Sequence, residues 1–190
     1  MLPLLGTAIG VGLIAGLLGH GHTGALKDLR FHWPLVLFAS LIVGVLPYYV
    51  SMSAAPRKIL QFAAYSGVLI FLLANIAWSR GGVRTGFLVL GLGWALNFAV
   101  IAANGGMPLS MWAWSHSGQA GAPTPGKGGF FKIVIAHPGT WFKPLGDVIP
   151  IRAIGQVLSM GDVILIVGIA FVIAAGMRPS LRRRATPALG

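Results

Sequence analysis

The chain has 190 residues, of which 56% are hydrophobic and only 9% are charged. Since roughly a quarter of the residues in a water-soluble globular domain are charged, this composition excludes such a domain. The absence of cysteine excludes thiolate metal sites, iron–sulfur clusters, disulfides and thiol nucleophiles. There is no glutamate, and the only acids are Asp28, Asp147 and Asp162, which leaves little for paired-carboxylate catalysis.

The net charge of +11 does not indicate nucleic-acid binding. The basic residues are spread in ones and twos between apolar runs, whereas a nucleic-acid interface gathers them in one stripe or patch. Lysine and arginine at the ends of hydrophobic segments are typical of membrane proteins. We therefore predict membrane lipids, and no nucleic acid, as partners.

Several uncharged runs reach the roughly 17 to 25 residues that a helix needs to cross a bilayer. The sequence predicts an all-α integral membrane protein, a single domain with about five transmembrane helices at residues 2–18, 34–50, 59–78, 85–103 and 157–177. A long, partly interfacial loop, 104–156, joins the fourth and fifth helices, and a basic tail, 178–190, follows.

The first predicted span has no charged residue ahead of it, which favours a retained helix over a cleaved signal. It contains two interlocked small-xxx-small pairs formed by Gly6, Gly10, Gly12 and Gly16. Such spacing lets another helix approach closely. Packing within the chain is favoured over a homodimer contact, because the chain supplies its own partner helices.

Prolines and short turns divide the next three spans. Pro34 opens the second span, where a missing N–H costs nothing, and Pro47 predicts a kink or an end near its far side. Tight turns are predicted at 56–58 and 80–84. Connections this short make spans two, three and four neighbours in the bundle.

The distribution of basic residues predicts the orientation. One side receives Arg57 and Lys58, and the other receives Lys27, Arg30, Arg80, Arg84 and the tail arginines 178, 182, 183 and 184. Positive charge in short loops marks the cytoplasmic side. The N-terminus and the 104–156 segment are therefore expected outside, and the C-terminus in the cytoplasm.

The external segment combines aromatic patches with a flexible stretch. Residues 118–129 are rich in Gly, Pro and Ala, and the apolar pieces 111–114 and 129–135 are too short to span, so they are expected to lie on the membrane interface. Side chains suited either to a partner subunit or to the headgroup layer are Trp112, Trp114, Phe130, Phe131 and Trp141.

The tetrapeptide Gly-Asp-Val-Ile occurs at 146–149 and again at 161–164, and it contains Asp147 and Asp162. Asp162 lies about one turn inside the last span, where an ionised carboxylate needs a partner. Candidate partners are Arg152, Asn97, Asn104 and backbone amides at the helix start. The two acids form either a cation or proton site or a structural anchor for the loop, and the structural interpretation is favoured.

Asn75 and Asn97 lie within spans three and four, where amide side chains commonly hydrogen-bond between helices. All five histidines, at positions 20, 22, 32, 116 and 137, fall in connections, which argues against a haem held at membrane depth and against a metal site. No cofactor is predicted, and a bound lipid or pigment is left open.

Three motifs follow one another along the chain: Asn-Gly-Gly-Met-Pro at 104–108, Leu-Gly-Asp-Val-Ile-Pro at 145–150 and Ser-Met-Gly-Asp-Val-Ile at 159–164. Together they resemble a bacterial multi-pass membrane family catalogued as a domain of unknown function. The resemblance runs from the early spans to about Met177. It implies a prokaryotic cell membrane, and it brings no activity and no active-site residues.

Three functions remain open. The first is a non-catalytic accessory or structural subunit of a membrane protein complex, suggested by glycine-rich helix faces and the aromatic external loop. The alternative is a small transporter or channel with an ion or proton site at Asp162. A lipid-acting membrane enzyme ranks third.

Overall fold

The structure, a computed structural model, describes residues 2–50, 52–123 and 133–178. It is mostly helical, with α1 (Leu2–Leu18), α2 (Pro34–Tyr49), α3 (Ala54–Trp78), α4 (Gly81–Asn104), α5 (Met111–His116) and α6 (Met160–Gly176). Four short strands complete it: β1 (Met107–Leu109), β2 (Ile133–Ile135), β3 (Ile149–Ile151) and β4 (Gln156–Leu158). The basic tail from residue 179 lies outside the described residues.

Two helices are long and apolar enough to cross a membrane, Ala55–Trp78 within α3 and Gly81–Asn104. The helices α1, α2 and α6 are apolar but have 17 residues or fewer. A helix of that length measures about 25 Å, slightly less than a hydrocarbon core of about 30 Å. Length alone therefore supports two crossings, and the five-span arrangement stays a prediction.

Three predicted boundaries are wrong. The helix α3 begins at Ala54, so Pro56 and the two basic residues after it lie in its first turns, where proline is tolerated. The helix α4 begins at Gly81 directly after an extended Arg80. The last helix begins at Met160, because residues Gln156–Leu158 pair as β4 and Ser159 caps the helix.

The long helices pack side by side in an order that differs from the sequence. The main contacts join α1 to α6, α6 to α4, α4 to α3 and α3 to α2. The predicted neighbours α2, α3 and α4 are thus confirmed, whereas α6 lies between α4 and α1. The consecutive helices α1 and α2 consequently occupy the two ends of the row.

Glycines allow α4 and α6 to touch along their backbones. A Cβ atom on Gly93 would lie 2.7 Å from the carbonyl oxygen of Gly161, and one on Gly168 would lie 2.7 Å from Leu90 Cγ. Such contacts leave no room for larger side chains and are the usual way in which apolar helices pack closely.

The glycines of α1 divide into two pairs. A Cβ on Gly12 would lie 2.9 Å from Ala170, and one on Gly16 would collide with Met177, so this pair packs within the chain as predicted. At Gly6 and Gly10, no atom of the described residues lies within 4 Å of such a Cβ.

The connection from α1 to α2 passes across one end of the row of helices. It forms a 3₁₀ turn, Thr23–Asp28, that contacts α6, and Phe31 then packs edge-on against Phe87 of α4. Asn75 fixes the next residue, because its Oδ1 accepts the His32 N–H and its Nδ2 donates to the His32 carbonyl, both at 2.9 Å.

At the other end, the described part of the 104–156 segment forms a small folded cap. Gly105 ends α4 in the left-handed conformation, φ +68°, and turns the chain into β1. β1 pairs in parallel with β2, and β3 pairs with β4 in antiparallel fashion. Met107, Leu109 and Ala113 form its buried core.

The 104–156 segment was predicted to be a loop, but its described part has regular secondary structure. The predicted interfacial piece at 111–114 is helix α5, and the end of the piece at 129–135 is strand β2. Residues 124–132, which hold part of the predicted flexible stretch, lie outside the described residues.

Candidate functional site

The strongest polar cluster begins at the first turn of α6, where Ser159 and Asp162 form a capping box. The Ser159 Oγ accepts the Asp162 N–H at 3.0 Å, and the Asp162 Oδ2 accepts the Ser159 N–H at 3.0 Å. These bonds satisfy donors that would otherwise be left unpaired at the helix start. The carboxylate also lies at the positive end of the helix dipole.

Asn97 of α4 completes the cluster from across the glycine-rich contact. Its Nδ2 donates to Asp162 Oδ1 at 2.9 Å, and its Oδ1 accepts the Ser159 hydroxyl at 2.8 Å. Ser159 is fully buried and Asn97 is 4% exposed. A Cβ atom on Gly161 would overlap the Asn97 amide oxygen, so this glycine makes the approach possible.

Asp147 approaches the same cluster from the cap. Its N–H donates to the Pro108 carbonyl at 2.8 Å, and its carbonyl accepts the Ser110 N–H at 2.9 Å, so the backbone is fixed to β1 and to the start of α5. Burial, and then the negative charge of Asp162, raise the pKa of Asp147 to about 8. The structure therefore brings the two predicted acids together.

Tyr65 of α3 borders the cluster, and no sequence pattern pointed to it. It is 4% exposed, packs against the rings of Trp94 and Phe98, and lies within electrostatic range of Asp162. Ser159 was also missed, although the pattern Ser-x-x-Asp ahead of an apolar run is a recognisable capping signal.

Two of the predicted partners of Asp162 do not reach it. Its hydrogen-bond partners among the described residues are Asn97 and Ser159. Asn104, the last residue of α4, instead binds both backbone groups of Trp141, at 2.9 and 3.0 Å. Arg152 lies in a 3₁₀ turn of the cap, next to Gly118.

Asn75 also differs from its prediction. Besides His32 it binds the Phe71 carbonyl of its own helix at 2.8 Å. It therefore ties a connection to α3, whereas the prediction was a bond between helices. The amide satisfies the polar backbone of a connecting segment that lacks a regular pairing partner at this point.

The predicted interface aromatics occupy different environments. Trp112 is 61% exposed and Trp141 is 68% exposed. Trp114 is half-buried and donates its indole N–H to the Gly121 carbonyl at 2.9 Å. Phe130 and Phe131 lie outside the described residues.

The hydrogen bonds of the cluster join α4, α6 and the cap to one another. Both oxygens of Asp162 accept hydrogen bonds, and the amide of Asn97 both donates and accepts. Within the described ranges, no three residues of the types His, Cys, Asp and Glu are grouped so that they could hold a metal ion. Burial beside this cluster favours the protonated form of the Asp147 carboxyl.

Fold and site define a mostly helical protein in which two helices fit a membrane and a folded cap meets the helix ends. The model of one protein family, described as a family of unknown function (DUF5317), matches residues 28–174, which include the whole polar cluster. The chain belongs to this family, and the predicted resemblance to a family of unknown function is confirmed. No curated protein and no solved structure matches the chain.

Proposed function

We propose that the protein is a non-catalytic, multi-pass protein of a prokaryotic inner membrane that acts as an accessory or structural subunit of a larger membrane complex. The observation that carries this proposal is the state of Asp162. Its Oδ2 accepts the N–H of Ser159, the N-cap residue of α6, and its Oδ1 accepts the side-chain amide of Asn97 on α4. A carboxylate that accepts a hydrogen bond at each oxygen in this way stabilises the fold, as a structural role requires.

The exposed surface of the outer helices supports five crossings. On α2, Leu35 is 79% exposed, Phe38 is 60% exposed and Ile42 is 69% exposed. Contiguous apolar surface of this kind must be covered by lipid or by another protein. Tilting, local thinning of the bilayer and interfacial residues allow helices as short as α1, α2 and α6 to cross.

The orientation follows from the charges that flank these helices. Lys27, Arg80 and Arg178 lie at one end of the row, together with the end of α6, and the cap lies at the other. The bias of positive charge towards the cytoplasm therefore puts the cap and the N-terminus outside.

The cap offers a surface for a partner subunit. Trp141 and Phe142 are 68% and 52% exposed, and the Asn104 side chain holds the backbone of Trp141 in place. Trp112 adds a second exposed indole on α5. Rigidly held aromatic side chains are the kind that anchor protein interfaces, because little conformational freedom is lost on binding.

The proposal is tested by placing a photo-reactive phenylalanine analogue at position 112 or 141 of the protein in its own membranes. We expect illumination to attach one discrete membrane protein at either position. The same probe at position 42 on α2 is the matched control for a lipid-facing site. Attachment of lipid alone at all three positions would contradict a docking role for the cap.

A second candidate is an ion or proton site, favoured by the approach of Asp147 to Asp162 and the raised pKa of Asp147. It predicts that Asp162→Asn abolishes ion- or proton-coupled flux in vesicles while folded protein remains in the membrane. Unchanged flux would remove Asp162 from any transport mechanism.

A further inference from the structure

The end of the helix row opposite the cap contains a cleft of about 450 Å³ between the 3₁₀ turn Thr23–Asp28, the start of α4 and the end of α6. We propose that this cleft binds the phosphate-bearing headgroup of an anionic membrane lipid. It shares no residue with the polar cluster around Asp162, so it is a separate site.

The rim of the cleft concentrates positive charge. Lys27, Arg80 and Arg178 reach it from three different parts of the chain, and Asp28 is the only acid among its lining residues, so the lining carries a formal charge of +2. Like charges brought together from separate elements repel one another. A bound anion relieves this repulsion, and Lys and Arg are the usual ligands of phosphate groups.

The floor of the cleft is apolar, which distinguishes a lipid from a free phosphate ion. Ala25 is 7% exposed, and Leu29, Val83 and Ala175 lie around it. The start of α4 packs tightly against the end of α6 here, since a Cβ atom on Gly82 would lie 2.9 Å from Ala175 Cβ. An amphiphile can place its phosphate at the rim and its glycerol and upper acyl chain on this floor, whereas inorganic phosphate would use the rim alone.

The first turn of α4 adds hydrogen-bond donors to the rim. Gly82 and Val83 line the cleft, and the N-cap residue Arg80 makes no side-chain cap bond. Backbone N–H groups in a first helical turn have no acceptor within the helix and favour anions. These donors act together with the three cationic side chains.

The position of the cleft suits this ligand. It lies at the basic end of the row, which the proposed orientation places in the cytoplasmic leaflet, where anionic lipids attract basic groups. Basic pockets between membrane helices on that side are a known form of lipid headgroup site.

The test uses the full-length protein in detergent, mixed with equal amounts of phosphatidylglycerol and phosphatidylcholine, and native mass spectrometry of the lipid retained. The double variant Arg80→Gln/Arg178→Gln removes two rim charges. The matched control, Arg57→Gln/Arg84→Gln, removes two charges from residues outside the cleft lining. A basic group near an anionic surface contributes about fivefold to binding, so we expect phosphatidylglycerol retention to fall about 25-fold in the first variant and less than about threefold in the control.

An equal loss in both double variants would show diffuse electrostatic attraction and overturn the site. Displacement of phosphatidylglycerol from the wild type by millimolar inorganic phosphate would identify a free-phosphate site and overturn the lipid assignment. If the first variant does not fold, the wild type decides: preferential retention of phosphatidylglycerol that phosphate does not displace supports the site, and equal retention of the two lipids rejects it. A partner subunit appears in such spectra as a protein mass, so the lipid site and the accessory function fail or succeed independently.

Discussion

Asn97 on α4 and Asp162 on α6 are joined by a hydrogen bond of 2.9 Å across a contact otherwise formed by glycine and apolar side chains. The bond links the first turn of α6 to α4 at the end of their contact that lies next to the cap. Through Ser159, which follows β4 directly, the same network reaches the cap. The network therefore joins the cap to the helices, as do the two bonds between Asn104 of α4 and the Trp141 backbone.

Removing the Asp162 carboxylate tests how much these hydrogen bonds stabilise the fold. Asp162→Ala leaves the Asn97 amide and the Ser159 N–H without their acceptor, and we expect the free energy of unfolding to fall by about 2 to 3 kcal/mol. Asp162→Asn keeps one acceptor oxygen but turns its NH2 group towards the other donor, so we expect a smaller loss of about 1 to 2 kcal/mol. Unfolding by steric trapping in detergent measures both. Equal stability of Asp162→Ala and the wild type would show that the network contributes nothing.

The close contact between α4 and α6 at their glycines should not tolerate a larger side chain. Gly93→Ala places a Cβ atom 2.7 Å from the Gly161 carbonyl oxygen and should destabilise the fold by about 1 to 3 kcal/mol. Gly10→Ala is the matched control, because no atom in the described part of the chain lies within 4 Å of its Cβ position. That substitution should be neutral or stabilise the helix by up to about 1 kcal/mol. A larger loss at position 10 than at position 93 would refute the packing described for these helices.

From the raised pKa of Asp147 we expect the free energy of unfolding to depend on pH. Its pKa rises from 3.8 to about 8 on folding, so between these values the folded state holds a proton that the unfolded state has released. The free energy of unfolding should therefore decrease as pH rises from about 4 to about 8 and level off above that. Asp147→Asn should flatten this slope, whereas Asp28→Asn, at the opposite end of the row, should leave it in place. A slope unchanged in Asp147→Asn would assign the dependence to another group.

Loss of the Asn75 side chain should increase local opening of the backbone at His32. Asn75→Ala removes the acceptor of the His32 N–H, and we expect hydrogen exchange of that amide to become about tenfold faster or more. Asn104→Ala should have the same effect on Trp141 and none on His32. Mass spectrometry of peptides that cover the two positions measures this. Equal acceleration at both sites in either variant would indicate global loosening.

Hydrophobic run length predicted the positions of the long helices, but it could not fix their ends. The start of α3 at Ala54 and the start of α6 at Met160 depend on Pro56 in a first turn and on the Ser159 cap, which act locally and carry little hydropathy signal. The helix order, with α6 between α1 and α4, also escaped prediction. It depends on close contacts of Gly93, Gly161 and Gly168, which composition cannot pair with one another.

The candidate site was predicted in part. The repeated Gly-Asp-Val-Ile pointed to Asp147 and Asp162, and Asn97 was among the proposed partners. Arg152 and Asn104 were wrong, since the cap holds Arg152 beside Gly118 and directs Asn104 to the backbone of Trp141. The cap itself is held by short strands of three residues each, which leave too little alternation in the sequence to be recognised.

Native mass spectrometry of the protein released gently from its own membranes tests the proposed function most directly. We expect a complex that contains a second membrane protein in fixed stoichiometry. Recovery of the protein alone, or only as copies of itself, would contradict the accessory-subunit role.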